Sequence, residues 1–234
     1  GKCHLTNTSG LCENMIRQVP KILAMVALFA GSHLQEVLAA ETSETNPGPS
    51  LVPIELPDEV SSAQGLMAWQ KIFNVVSHPR CINCHVDESN IPMWSGPSFG
   101  NQPRRHGMNI QAGESRIGAG TLNCATCHQK SLLPNSLEHA PPHTNHDWML
   151  APVEFAWFGK SSNEICQQMR DPERNGGRDG AGLVEHIIHD VEIQAFIAWS
   201  FDPGGNREPA PGTQQQHLDD MAIWTAAGMP CPND

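Results

Sequence analysis

From Ser61 onward, apolar residues recur at helical spacing, with Leu66, Trp69, Phe73 and Val76 falling on one face behind Ser61 and Ser62 as candidate N-caps. Pro79 closes that run just before a cysteine. Residues 86–123 and 129–160 carry no convincing period; both are loop-like, and the second holds His139, His143, His146 and Trp148. Order returns at Ser161-x-x-Glu164, a capping box that opens a short helix stopping before Pro172. After a glycine-rich loop over 171–182, Leu183–Phe201 reads as helical, with a break at Asp190 acting as a new N-cap. Thr213-x-x-Gln216 caps the last helix, which carries Leu218, Met221, Ala222 and Thr225 on one face and is stopped by Gly228 and Pro230. No strand alternates with helix. The expected class is mostly α with long irregular loops.

The N-terminal pattern differs in kind. Met15 is followed by Arg17 and Lys21, then by the unbroken apolar run Ile22–Ala30, then by a polar stretch ending Val37-Leu38-Ala39-Ala40. Such a run is too short to span a bilayer, which needs ~20 residues, but it suits the apolar region of a secretory signal. Residues 15–40 are therefore expected to be a signal peptide cleaved after Ala39 or Ala40, with no stable membrane span remaining. Residues 1–14 would lie upstream of the initiator as leader or start-site error, leaving Cys3 and Cys12 without a role. Residues 41–60 carry four prolines and an acidic balance, as an extended leader or linker does. The folded domain is expected over 61–234.

Composition sharpens this picture at two points. The whole chain has a formal charge of -11, and 41–234 has 11 basic against 23 acidic residues, which excludes nucleic-acid binding through a broadly basic surface. A partner with a basic docking patch fits better. The 8 Cys and 12 His point to metal or haem before a disulfide scaffold.

Those residues are arranged. Cys81-Ile82-Asn83-Cys84-His85 and Cys124-Ala125-Thr126-Cys127-His128 are both C-x-x-C-H, a pair expected in roughly one of ten thousand random chains of this composition. On one turn of helix the two thiols reach the two vinyl groups of a haem, and the next residue places an imidazole under the iron. The motifs thus imply two haem c groups, attached at Cys81, Cys84, Cys124 and Cys127, with His85 and His128 as proximal ligands. A single zinc between the two C-x-x-C pairs and a thioredoxin-like redox pair are the rivals. The immediate histidine, the export signal and the absence of a βαβ pattern count against them.

The region from His78 to Cys231 resembles a family of small exported dihaem c-type proteins, some labelled isoquinoline 1-oxidoreductase subunit. The likeness rests on His78–His85, His106-Gly107-Met108-Asn109-Ile110 and Cys124–Gln129. Leu150-Ala151-Pro152, Asp171-Pro172 with Asn175-Gly176-Gly177, and His186-Ile187-Ile188-His189-Asp190 extend it. That label implies an electron-carrying partner of a molybdenum hydroxylase.

Candidate distal ligands are His106, His186 and His189, with His78 and Met108 in reserve. His106 lies on the loop between the motifs, and His186 and His189 are i, i+3 on a helix. The short interval between motifs favours one domain, dihaem cytochrome c-like, with both haems in or near a shared core. Cys166 and Cys231, left over in an exported chain, are expected to pair. The function these features favour is a periplasmic or otherwise exported dihaem c-type cytochrome passing electrons between redox partners, accepting them from a dehydrogenase, with no substrate chemistry of its own. The alternatives are a haem enzyme or sensor of peroxide or nitrogen oxides with one five-coordinate haem, its pocket lined by His139, His143, His146 and Trp148, and a structural haem-bearing subunit.

Overall fold

The three sequence caps form as expected. In the computed structural model, Ser61, Ser161 and Thr213 each accept the backbone N–H three residues on, while Gln64, Glu164 and Gln216 bond back to the cap, closing three capping boxes. They open α1 (Ser62–Val76), α3 (Ser162–Arg170) and α6 (Gln214–Ala226). Between them lie α2 (Pro79–Ile82), α4 (Gly180–Ile188) and α5 (Phe196–Phe201). The structure describes residues 50–56, 58–95, 102–119, 122–129, 138–141, 148–190 and 195–233, all but Ser50 within the compact unit 51–234. The expected leader and signal peptide, His143 and His146 lie outside the described residues.

The described part is mostly helical with long loops and very little strand. Two antiparallel two-residue ladders are present: β1 (Met93–Trp94) with β2 (Arg104–Arg105), and β3 (Gly118–Ala119) with β4 (Leu122–Asn123). Gly118, at φ +139°, is required at the second, because a Cβ there would lie 2.6 Å from the Asn123 Cα. No helix among the described residues is long and apolar enough to cross a membrane.

α1 packs on α6, and α4 packs on α6 beside it. Trp69, Ile72 and Val76 of α1 meet Leu218, Met221 and Trp224 of α6, with Ile165, Cys166 and Met169 of α3 and Leu183 and Ile187 of α4 completing the core. The Trp69 and Trp224 rings are 5.1 Å apart, and each indole N–H is satisfied, by Ser162 Oγ at 2.8 Å and the Pro230 carbonyl at 2.9 Å. Gly65 lets the chain ends of α1 and α6 approach: a Cβ there would stand 2.5 Å from Ala227 Cβ and 2.7 Å from Pro230 Cγ. The expected disulfide is present, joining Cys166 to Cys231 across 65 residues.

Three expectations change. The last part of the proline-rich linker is docked: Leu51 packs on the helical core, and Val52 exchanges hydrogen bonds with the Gln215 side chain at 3.2 and 2.7 Å. α4 starts at Gly180, inside the expected glycine-rich loop, because Asp179 accepts from the Gly182 N–H at 2.9 Å and supplies the cap. Asp190 is not the N-cap of α5. It is buried and reaches forward to accept from the Ala198 N–H at 2.8 Å, while left-handed Ala195 opens α5.

Candidate functional site

The first C-x-x-C-H motif begins on a built turn. His78 is the N-cap of α2, its Nδ1 accepting from the Arg80 N–H at 3.3 Å, and Pro79 takes the first helical position. Arg80 then ties the turn to two distant segments, donating to the carbonyls of Glu208 and Ala140, both at 2.6 Å, and of Glu138 at 2.9 Å. Cys81 and Cys84 are unpaired thiols. Burial pushes their pKa values up to about 12 and about 11 respectively, so both are held as neutral thiols at neutral pH.

His85 is held from four sides by the segment after Pro152. Its Nδ1–H donates to the Phe155 carbonyl at 2.8 Å, its own carbonyl accepts from the Trp157 and Phe158 N–H groups at 2.8 and 2.9 Å, and its ring stacks on Trp157 at 3.7 Å and 6°. Trp157 is fixed in turn by donating to Gln168 Oε1 at 2.7 Å. A carbonyl can only accept, so the proton sits on Nδ1 and Nε2 keeps its lone pair, the tautomer a metal-ligating histidine needs. Burial pulls the imidazole down to about 4, with the Phe155 carbonyl opposing and the Arg116 and His186 charges adding to the fall. His186 of α4 therefore lies within electrostatic reach of His85. Its Nδ1 is buried without a hydrogen-bond partner.

The second motif starts on a 3-10 turn, Cys124–Thr126, directly after β4. Cys124 and Cys127 are also unpaired, the latter exposed. The His128 ring lies 5.8 Å from the His106 ring at 65° and 4.5 Å from Trp148. Burial lowers the His128 pKa, and His106 adds to the effect. The indole N–H of Trp148 is buried and unpartnered.

A lattice of backbone hydrogen bonds connects the two motifs. Met93 N–H donates to Asn83 at 2.9 Å, His106 N–H to Pro92 at 2.9 Å, Ala151 N–H to Cys84 at 3.2 Å, Leu150 N–H to Arg116 at 2.8 Å and Cys124 N–H to Ile117 at 2.8 Å. The Cys124 thiol is near enough for its charge to be felt at Cys84. Side-chain packing is sparser here: among the described residues Val86, Ala112 and Leu150 form a buried cluster, with Cys84, Met93 and Phe158 against it, and Ile91, Ala140 and Trp148 are also buried.

The structure thus separates the candidate distal ligands. It sets the His106 ring beside His128 and leaves the charge of His186 felt at His85. It leaves the others apart: His189 is the exposed C-cap of α4, so its i, i+3 pairing with His186 runs off the helix end. Met108 is 80% exposed, on a left-handed turn at φ +55°. His78 spends Nδ1 on its cap and lines a small cleft with Arg80, Asn83 and His139. Among the described residues no three His, Cys, Asp or Glu side chains gather as a metal cluster. Trp157, Gln168 and Arg116 were not singled out by the sequence; an aromatic soon after a Pro-bounded loop is the only signal that marks Trp157. Comparison with family models, with curated proteins and with solved structures gave no match.

Proposed function

We propose that this chain is an exported dihaem c-type electron carrier. The observation that carries the reading is His85: a histidine directly after C-x-x-C, with Nδ1–H committed to a backbone carbonyl and Nε2 left for a metal. The neutral, unpaired thiols at the first motif, the unpaired thiols at the second and the orphaned Nδ1 of His186 suit the same occupant. Cys81 and Cys84 would hold one haem and Cys124 and Cys127 the other, with His85 and His128 proximal and His186 and His106 distal. Bound there, each haem supplies a one-electron iron centre buried in protein.

The chain's own residues favour carriage over catalysis. With His186 and His106 as the second imidazoles, each iron would be six-coordinate and would leave no open position for a substrate. The backbone lattice between the motifs keeps the sites near one another and limits rearrangement as charge moves. The Cys166–Cys231 disulfide suits an oxidising, periplasmic compartment. The formal charge of -11 suits docking to a basic patch on a redox partner.

Intact-mass analysis of the exported protein after acid extraction is expected to show two covalent haems, and a mass equal to the bare polypeptide overturns the reading. Electron paramagnetic resonance of the oxidised protein is expected to show two low-spin centres, with His106→Ala and His186→Ala each converting one to high-spin. A native high-spin haem that binds cyanide or carbon monoxide would instead favour the peroxide or nitrogen-oxide reading.

A further inference from the structure

A buried cation without an anionic partner lies between the two motifs. Arg116 is 7% exposed and holds a left-handed backbone, φ +64°, which a non-glycine residue adopts only under constraint. All five guanidinium N–H groups are spent. Nε donates to the Ala151 carbonyl at 2.8 Å, Nη1 to the Asp87 carbonyl at 3.0 Å and Asn90 Oδ1 at 2.8 Å, and Nη2 to the Val86 carbonyl at 2.9 Å and again to Ala151. The partners flank the first motif: Val86 and Asp87 follow His85 directly, and Ala151 donates its own N–H to the Cys84 carbonyl.

Such a residue could be structural alone, stitching three loops together. The charge argues for more. Every acceptor is neutral, and the carboxylates within its influence, Asp87 and Glu154, are exposed and screened by water. Asp87 gives its Oδ1 to the Ser89 N–H instead. A buried guanidinium is costly to desolvate, and here no carboxylate is bonded to it to offset that cost. Its positive charge also reaches Cys84 and His85, whereas neither Cys124 nor His128 registers it.

We propose that Arg116 is a positioning residue of the first haem site whose fixed positive charge raises that site's reduction potential. The inference rests on the reading that the first motif carries a haem. Reduction there takes one electron from a redox partner and makes or breaks no bond, so the site gains one negative charge beside a cation already in place. Coulomb attraction in a poorly screened setting then favours the reduced state.

The test is a spectroelectrochemical titration of the full-length, haem-loaded protein with Arg116→Gln, Arg116→Lys and Asn90→Asp variants. Asn90 already accepts from Arg116 and is left-handed at φ +56°, a conformation aspartate tolerates, so Asn90→Asp neutralises the cation with the arginine in place. The expected result is that Arg116→Gln and Asn90→Asp lower the same one of the two midpoints while Arg116→Lys stays near the parent. Midpoints unmoved in both charge-changing variants overturn the proposal, and so do equal shifts in the Gln and Lys variants, which would mark a packing effect. Should Arg116→Gln fail to accumulate, Asn90→Asp against the parent decides alone. A preparation whose mass lacks haem would instead overturn the dihaem reading beneath it.

Discussion

The helical half of this chain and the half that carries the motifs are built by different means. In the first, Trp69, Ile72, Ile165, Leu218 and Trp224 are at most 1% exposed, both indole N–H groups are bonded, and a disulfide closes the far end. In the second, three small or medium side chains form the whole buried cluster among the described residues, and backbone hydrogen bonds hold histidines and thiols in place. Buried polar atoms without partners occur in both, at Trp148 and His186 near the motifs and at Asn163 and His217 in the helices. Less apolar burial among the described residues leaves less to offset the entropy of ordering its loops. The difference marks the motif half as the part that a large apolar group would complete. α4 joins the two, burying Leu183 and Ile187 in the helical core while carrying His186, whose charge is felt at His85.

Blocking both attachment sites should break the comparison most strongly. A chain with Cys81, Cys84, Cys124 and Cys127 all replaced by Ala is expected to keep its helical circular-dichroism signal and its disulfide. Limited proteolysis should cut it within 86–160 at least about tenfold faster than the loaded protein. Equal cutting of the two would mean that the motif half stands without the group.

The reverse experiment acts on the other half. Replacing Cys166 and Cys231 together by Ser should cost ~4 kcal/mol of stability, the loop-entropy value for the observed separation. The haem mass should remain unchanged. A thermal melt with no loss beyond about 1 kcal/mol would show that helix packing alone carries this half.

The two halves were also unequally legible. The helical one declares itself through local chemistry: Ser61, Ser161 and Thr213 cap within three residues, and Trp69 and Leu218 repeat at helical spacing. The motif half shows its ligating residues but not their arrangement. Cys81, Cys84 and His85 are readable because covalent attachment demands fixed spacing. That His85 should meet Phe155 and Trp157, or His106 meet His128, depends on contacts across long loops with no periodic signature. His189 misled because i, i+3 spacing places two residues on one face only while the helix continues, and α4 ends at Ile188. Arg116 carries no signal in the sequence, because its four acceptors, on Val86, Asp87, Asn90 and Ala151, lie far from it along the chain.

The smallest effect belongs to acid, and it separates the halves by their histidines. His217 of α6 is buried, its ring 5.9 Å from Phe201 and its Nδ1 without a partner, and burial pulls its pKa down to about 4 from 6.5. Between those values the unfolded chain binds the proton and the folded chain does not, so stability rises with pH across the window. It is lost as pH falls from 6.5 towards 4, by at most roughly 3 kcal/mol, with no further contribution below. In the motif half, His78 and His85 are shifted the same way by burial, and both are common to parent and variant. Asp190 and Asp220, whose carboxyls burial pushes up, work in the opposite sense and are common to parent and variant. A His217→Gln variant removes one titrating group and leaves these in place. Denaturant unfolding of the loaded protein, followed by helical circular dichroism at pH 7 and pH 4.5, should therefore show a smaller acid loss in His217→Gln than in the parent. Equal losses would place the acid sensitivity of the helical half elsewhere than His217.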